Sequence, residues 1–364
     1  MAHGIGLYFF SALADPAGRL SASDEPAGPP PAGPLPAGAP QPDDRAAYRL
    51  LLDAAVSADE QGLDFVWLPE RHFTPFGGGH PNPAVLAAAL AVRTTVIRIR
   101  AGSVVLPLHD PLRVAEEWAV VDNLSDGRVE VSSATGWNPR DFVLAPDGFA
   151  DRADRARENW RTVQDLWARR PVTLSGPGDA EYSVLTYPRP VQPSLPHWIT
   201  AGGSPGTFVH AGEVGAGLLT GYGTFAEERL VELIGLYRDA FAAHHGGRGR
   251  VSLMVHTAIG TDGARTRREA EGPLRRYLAA YLGQQDARTD PAVRARSLDF
   301  AVQRYLRGRS LIGDPTEVAA AMRRMYAAGA DELACLVDFG LPRRTVLATV
   351  SELARLRADL TQQS

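Results

Sequence analysis

Apolar residues recur along this chain in two alternating rhythms. Short, nearly continuous apolar runs fall at Gly4 to Phe10, Leu63 to Leu68, Ile97 to Val105, Arg128 to Ala134, His197 to Ala201, Ala216 to Leu219, Val251 to Ile259 and Glu332 to Asp338. Runs of that length and continuity predict strands covered on both faces. Between them lie segments with one apolar stripe at helical spacing: Tyr48, Leu51, Leu52, Ala55; then Ala156, Trp160, Val163, Trp167; then Leu230, Leu233, Ile234, Tyr237, Phe241. Asp44 stands at an N-cap position and Gly62 at a left-handed C-cap position of the first of these helices. Strand and helix in repeated alternation predict a parallel sheet, and eight strands predict its closure into a (β/α)8 TIM barrel. Three stretches interrupt the rhythm. Residues 14–42, rich in Pro, Gly and Ala, read as a flexible insertion after the first strand; Pro171 to Pro193 reads as loop and short strands; Arg265 to Arg309 carries two helical patterns between the seventh and eighth strands. The whole of 1–364 is then one barrel domain with insertions.

Composition narrows the picture. With 45% hydrophobic and 22% charged residues the chain can bury a large core. A net charge of −4 and a pI near 6.2, with scattered arginines, argue against nucleic acid as a partner. The lone Cys335 lies in an apolar run and fits a reducing, cytoplasmic setting. The apolar start, Ile5 to Phe10, is too short to span a membrane. The chain has no lysine, which excludes Schiff-base chemistry through that residue, and no spacing of His, Cys and Asp suggests a metal site.

In a barrel of this kind chemistry gathers at the C-terminal ends of the strands. Four such places carry candidate residues. After the second strand, Glu70, Arg71 and His72 bring a carboxylate, a guanidinium and an imidazole together, either as a proton-transfer group or as a structural ion pair. At the end of the third, Gly102 and Ser103 let a flat ligand approach backbone, or simply pack closely inside the barrel. At the end of the fourth, Thr135, Gly136 and Trp137 offer a hydroxyl and a flat apolar wall. From the fifth strand into a helix, Gly202, Gly203, Ser204 and Thr207 form a turn whose N–H groups and hydroxyls suit a phosphate, although ligand-free turns of this composition also occur.

With these motifs in hand, the chain resembles the luciferase-like monooxygenases, and within them the mupirocin-type tailoring oxygenases of natural-product biosynthesis. The resemblance is carried, in order, by PERHFTPFGGGHPN (69–82), AGSVVLPLHDPLRVAEEWAVV (101–121), DNLSDGR (122–128), ATGWNPRDFVLAP (134–146) and TAGGSPGTF (200–208). It implies a flavoprotein using reduced FMN (FMNH2) and O2, through a C4a-hydroperoxide, to oxygenate a small or carrier-bound substrate. The flavin ring would rest on Gly102 and Ser103 and its phosphate on Gly203, Ser204 and Thr207. The family's Glu-His-His-Phe motif matches Glu70, Arg71, His72 and Phe73, so only the second histidine is kept. Ala134 stands where luciferase has a cysteine near the flavin, and Gly206 where close relatives often have an acid. The resemblance further implies a separate flavin reductase and a homodimer paired through barrel helices. Two other outcomes share the superfamily: an F420-dependent oxidoreductase and a flavin-binding protein without turnover.

Overall fold

The structure is a computed structural model that describes residues 3–10, 44–285 and 291–362. The insertion expected at 14–42 lies outside the described residues. In chain order the elements are β1 (Gly4–Tyr8), α1 (Asp44–Glu60), β2 (Phe65–Leu68), α2 (Pro83–Ala91), β3 (Arg98–Val105), α3 (Pro111–Leu124), β4 (Val129–Ala134), α4 (Arg152–Trp167), β5 (Val172–Ser175), β6 (Glu181–Val184), β7 (His197–Thr200) and α5 (Pro205–Glu213). They continue with β8 (Gly217–Gly221), α6 (Glu227–His245), β9 (Val251–Ile259), α7 (Gly263–Gln285), α8 (Pro291–Leu306), β10 (Leu311–Gly313), α9 (Pro315–Ala327), β11 (Glu332–Leu336) and α10 (Arg343–Gln362).

Strands β1, β2, β3, β4, β7, β8, β9 and β11 pair in parallel, and the β8–β9 pairing closes the sheet into the (β/α)8 barrel. Each of the eight strands falls within a residue or two of its apolar run, because strands sandwiched between a barrel core and a helix layer must be apolar on both faces. The stripes do as amphipathic helices must: Val163 of α4 and Leu233 and Tyr237 of α6 are fully buried. Gly62 takes the left-handed φ of 78° expected after α1. The proline-rich stretch holds the antiparallel β5–β6 hairpin, outside the barrel, and α7 and α8 occupy the second insertion. The three-residue β10 beside β9 has no counterpart among the expected strands.

The inner face of the barrel sorts by height. At the N-terminal end Arg100 is 2% exposed, its Nε 2.9 Å from Glu130 and its Nη1 donating to Glu332 at 2.6 Å. Its guanidinium lies 4.1 Å from the Phe65 ring and 4.8 Å from that of Trp198. A buried charge survives only when it is answered by opposite charge, and Glu130 and Glu332 answer it here, although Arg100 Nε itself makes no hydrogen bond among the described residues. The DNLSDGR stretch serves this lower half too. The Asp122 carboxylate accepts from the N–H groups of Val191 and Gln192, and Arg128 donates to Ile97 O and Ala91 O. That motif ties loops together and touches no candidate site.

Candidate active site

Strand β2 stops at Pro69, which cannot extend a ladder, and the chain turns sharply through residues 70–82. Arg71 N–H donates to His80 O at 2.8 Å, closing the turn. Gly77 has a φ of 71°, and a Cβ there would sit 2.7 Å from the Phe10 ring and 2.9 Å from Arg71 Cγ. Only glycine meets both demands. The tight turn buries Glu70, which is 5% exposed. Its Oε1 accepts from Nε2–H of His72 at 2.7 Å and from Nε2–H of His109 at 2.6 Å, and its Oε2 accepts the N–H of Val105 at 2.8 Å.

One carboxylate thus holds two imidazoles at the mouth of the barrel. Burial alone would raise the pKa of Glu70, yet the hydrogen bonds from His109, His72 and Val105 outweigh it and hold the carboxyl below its usual range. For His109, burial works against the charged form, and the bond to Glu70 and its charge reverse the sign, leaving the imidazole above its ordinary value. Arg71 turns the other way. Its guanidinium lies 5.2 Å from the Trp137 ring and 6.0 Å from Phe10, and burial lowers its pKa while the charge of Asp141 works to restore it. Of the three residues expected to act together, the structure joins Glu70 to His72 and adds His109, whereas Arg71 belongs to an aromatic pair.

Beside this cluster, the C-terminal half of β3 carries Gly102 and Ser103, joined by a cis peptide bond. Tyr8 donates its hydroxyl to Gly102 O at 2.5 Å, and a Cβ on Gly102 would meet the Trp67 ring at 2.8 Å. Ser103 Oγ donates to Thr200 Oγ1 at 2.6 Å, and Ser132 Oγ lies 2.7 Å from the same atom. Thr200 is also part of the wall of a cavity of about 400 Å³ between α4 and α5. Thr135, Ser204 and Thr207 line it, as do Arg157, Arg161 and His210. Ser204 caps α5 without a side-chain bond to any of its N–H groups, and Ser204, Gly206 and Thr207 all line the cavity. Deeper in, the Trp160 ring stacks on His197 at 3.9 Å, and His197 shares a hydrogen bond of 2.9 Å with Ser133 Oγ. Burial, with a smaller push from His210, drops the His197 pKa to about 3, so it stands neutral there.

Four expected residues stand apart from the cavity wall. Gly136, with a φ of 75°, packs against Phe142 and Val105; Trp137 is 47% exposed under Arg71; Gly203 lies against Phe225 and Gly202 has no close neighbour. Conversely, Arg157, Arg161, His109 and His210 were not singled out from the sequence. Arg157 and Arg161 are four apart on α4, on the flank of the Ala156–Trp160 stripe, and that spacing was the available signal. The donor set of this cavity, two guanidinia, of which Arg157 also pairs with Asp154, and two hydroxyls at the start of α5, suits a phosphate monoester, and Thr200 of its wall bonds Ser103 next to Gly102. Among the described residues no group of His, Cys, Asp and Glu gathers as for a metal ion, and no helix is long and apolar enough to cross a membrane.

Comparison with known proteins points the same way. The sequence profile described as luciferase-like monooxygenase matches residues 30–332. An F420-dependent glucose-6-phosphate dehydrogenase of Kineococcus radiotolerans is 28% identical over 77% of this chain and 84% of its own length. The oxygenase component of the flavin-dependent trigonelline monooxygenase of Acinetobacter baylyi is 24% identical over 81% of this chain and 84% of its own. A monooxygenase from Streptomyces bottropensis shares the fold at a TM-score of 0.77 and 23% identity, covering 97% of this chain and 98% of the other. A type II Baeyer-Villiger monooxygenase from Pseudomonas putida, solved in complex with FMN, does so at 0.75 and 18%, over 99% and 98%.

Proposed function

The chain belongs to the luciferase-like monooxygenase family, a family of oxidoreductases, and from that premise we propose that it is an FMN-dependent monooxygenase acting in natural-product biosynthesis. The observation that carries the reading is the cavity between α4 and α5, cationic and hydroxyl-lined at one end and joined through Thr200 to the flat shelf at Gly102 and Ser103. Arg157, Arg161, Ser204 and Thr207 would hold the phosphate, and Gly102 and Ser103 the ring. Reduced flavin, when bound, supplies activation of O2 and transfer of one oxygen atom to the substrate. This chain's own residues supply the rest. Glu70 holds the proton of His72 at Nε2, which leaves Nδ1 as the atom that gives or takes a proton. Phe10, Phe76 and Tyr277 pack ring to ring beside the mouth and exclude water.

The flavin arrives already reduced from a separate reductase, as the name of the trigonelline relative, an oxygenase component, suggests. The substrate is a small organic molecule, free or carrier-bound, and the protein works as a homodimer in the reducing cytoplasm. Similarity to the glucose-6-phosphate dehydrogenases favours a second reading, F420-dependent hydride transfer, in which the carboxylate-held His72 would take an alcohol proton.

One experiment separates the two. Purified protein is mixed anaerobically with photoreduced FMN or with reduced F420, air is admitted, and the cofactor's absorbance is followed. Bound FMN whose reoxidation departs from that of free FMN supports the monooxygenase. Tight binding of F420 with none of FMN overturns it in favour of the second reading.

A further inference from the structure

Two histidines line the cavity between α4 and α5, and they differ. His197 of β7 is stacked on Trp160 and stands neutral. The His210 side chain, on α5, is 27% exposed, and its Nδ1 lies 3.8 Å from Glu213 Oε2. Residues three and four apart share a helix face, so Gly206, Thr207 and His210 form one wall of the cavity. Arg157 and Arg161, four apart on α4, belong to another. There is room for a ligand beside this wall of α5: a Cβ added at Gly206 would meet only Ser204 Oγ within 4 Å, at 3.8 Å.

The fixed charges here fall short of what a dianion needs. Arg157 Nη1 is 2.6 Å from Asp154, and Glu213 stands beside His210, so two guanidinia are set against two carboxylates. A phosphate monoester entering as its dianion would leave the cavity with an excess of negative charge, and a diester, with its single charge, would leave half as much. The charged and titratable groups acting on His210 come from three elements: Arg157 and Arg161 of α4, Glu213 of α5 and His197 of β7. Burial, then Arg157 and Arg161, hold the imidazole below its ordinary value against the pull of Glu213, so it is neutral at neutral pH before a ligand enters. An anion placed against it favours the imidazolium and reverses that sign.

We infer that His210 is the specificity-determining residue of this cavity: it takes up one proton as a phosphate monoester enters in its dianionic form, and the cavity thereby prefers a monoester to a phosphodiester. Glu213 beside Nδ1 favours a proton there, so the incoming proton, drawn from water, goes to Nε2. No other bond changes. FMN carries a monoester and F420 a diester, so the inference deepens the FMN reading, and it rests on that reading in taking this cavity as the phosphate site.

The test uses the full chain without flavin and two probes, phenyl phosphate and methyl phenyl phosphate. Histidine-selective NMR follows the His210 imidazole, identified by its loss in His210→Gln, from pH 5 to pH 9 with and without each probe. Phenyl phosphate is expected to raise the proton affinity of His210 about tenfold, and methyl phenyl phosphate about threefold or less. Reciprocally, dissociation constants from ligand-observed NMR should show the natural protein gaining affinity for phenyl phosphate from pH 8.5 to pH 6.5 relative to His210→Gln, in which only the ester's own ionisation acts. Phenyl phosphate that binds while the His210 titration stays unmoved, or a pH dependence equal in His210→Gln, overturns this inference and leaves the phosphate reading standing. Failure of phenyl phosphate to bind at any pH overturns the phosphate reading of the cavity and this inference with it.

Discussion

Replacing Glu70 by glutamine tests the central geometry most directly. The carboxylate accepts three N–H donors, at 2.6 Å and 2.7 Å from the two imidazoles and at 2.8 Å from Val105. Glutamine has one acceptor oxygen, so its NH2 group must face at least one of those donors. Charge-assisted bonds contribute roughly 1.5–3 kcal/mol each, and a buried donor left facing another donor costs about 1–3 kcal/mol. Because His109 is partly open to water, its side chain being 29% exposed, we take the lower ends and expect a loss of about 3 kcal/mol at pH 6. The loss should depend on pH with a definite sign. His109 has its pKa raised by Glu70, so this pair's stabilisation is fully present below the unfolded imidazole value and fades as pH rises through the folded one. Urea unfolding of both proteins at pH 6 and pH 9, with unchanged slope, should give a gap that shrinks at the higher pH. An equal gap at both pH values, or one that grows with pH, would refute the claim that Glu70 holds a proton on His109.

Three further outcomes follow from other parts of the molecule. Removing both cavity guanidinia, Arg157→Ala with Arg161→Ala, should weaken FMN binding by roughly tenfold or more while leaving Tm nearly unchanged, since both residues are on the exposed flank of α4; flavin fluorescence titration reads it. Glu130→Gln leaves Arg100 buried with half its counter-charge, while the amide oxygen can still accept from Trp198 Nε1, so a loss of about 3–5 kcal/mol in urea unfolding is expected from the charge alone. Gly102→Ala places a methyl group 2.8 Å from the Trp67 ring, and overpacking of about 1–3 kcal/mol should appear together with weakened flavin binding in a calorimetric titration.

What the sequence made legible follows from range. Strands covered on both faces advertise themselves as apolar runs, and the helix stripes likewise depend only on residues a few positions away. The left-handed Gly62 and the hairpin in the proline-rich stretch are local as well. Strand β10 escaped notice because three residues, Leu311 to Gly313, cannot carry a period. In the site, the link between Glu70 and His72 spans two positions and was foreseeable. That between Glu70 and His109 spans 39, and Arg157 reaches the same cavity as Ser204 only because β4, β7 and their helices are neighbours. DNLSDGR, one of the stretches that carry the family resemblance, holds the lower loops, since Asp122 is fully buried against Val191 and Gln192.

The histidines show how one residue type is divided by its surroundings into different tools. His80, His197 and His256 are buried, and burial takes each to a pKa of about 3. At neutral pH each is a neutral imidazole with one N–H, able to pack or to share a hydrogen bond but not to act as an imidazolium acid. His109 is also largely buried, but Glu70 reverses the effect and favours its charged form. The imidazole whose charged form the barrel mouth favours is thereby His109, held by Glu70, while the wall around His256 is aromatic. The proposed monooxygenase reading needs that division, because a proton source beside a substrate's apolar body would bring with it the water that the surrounding rings exclude.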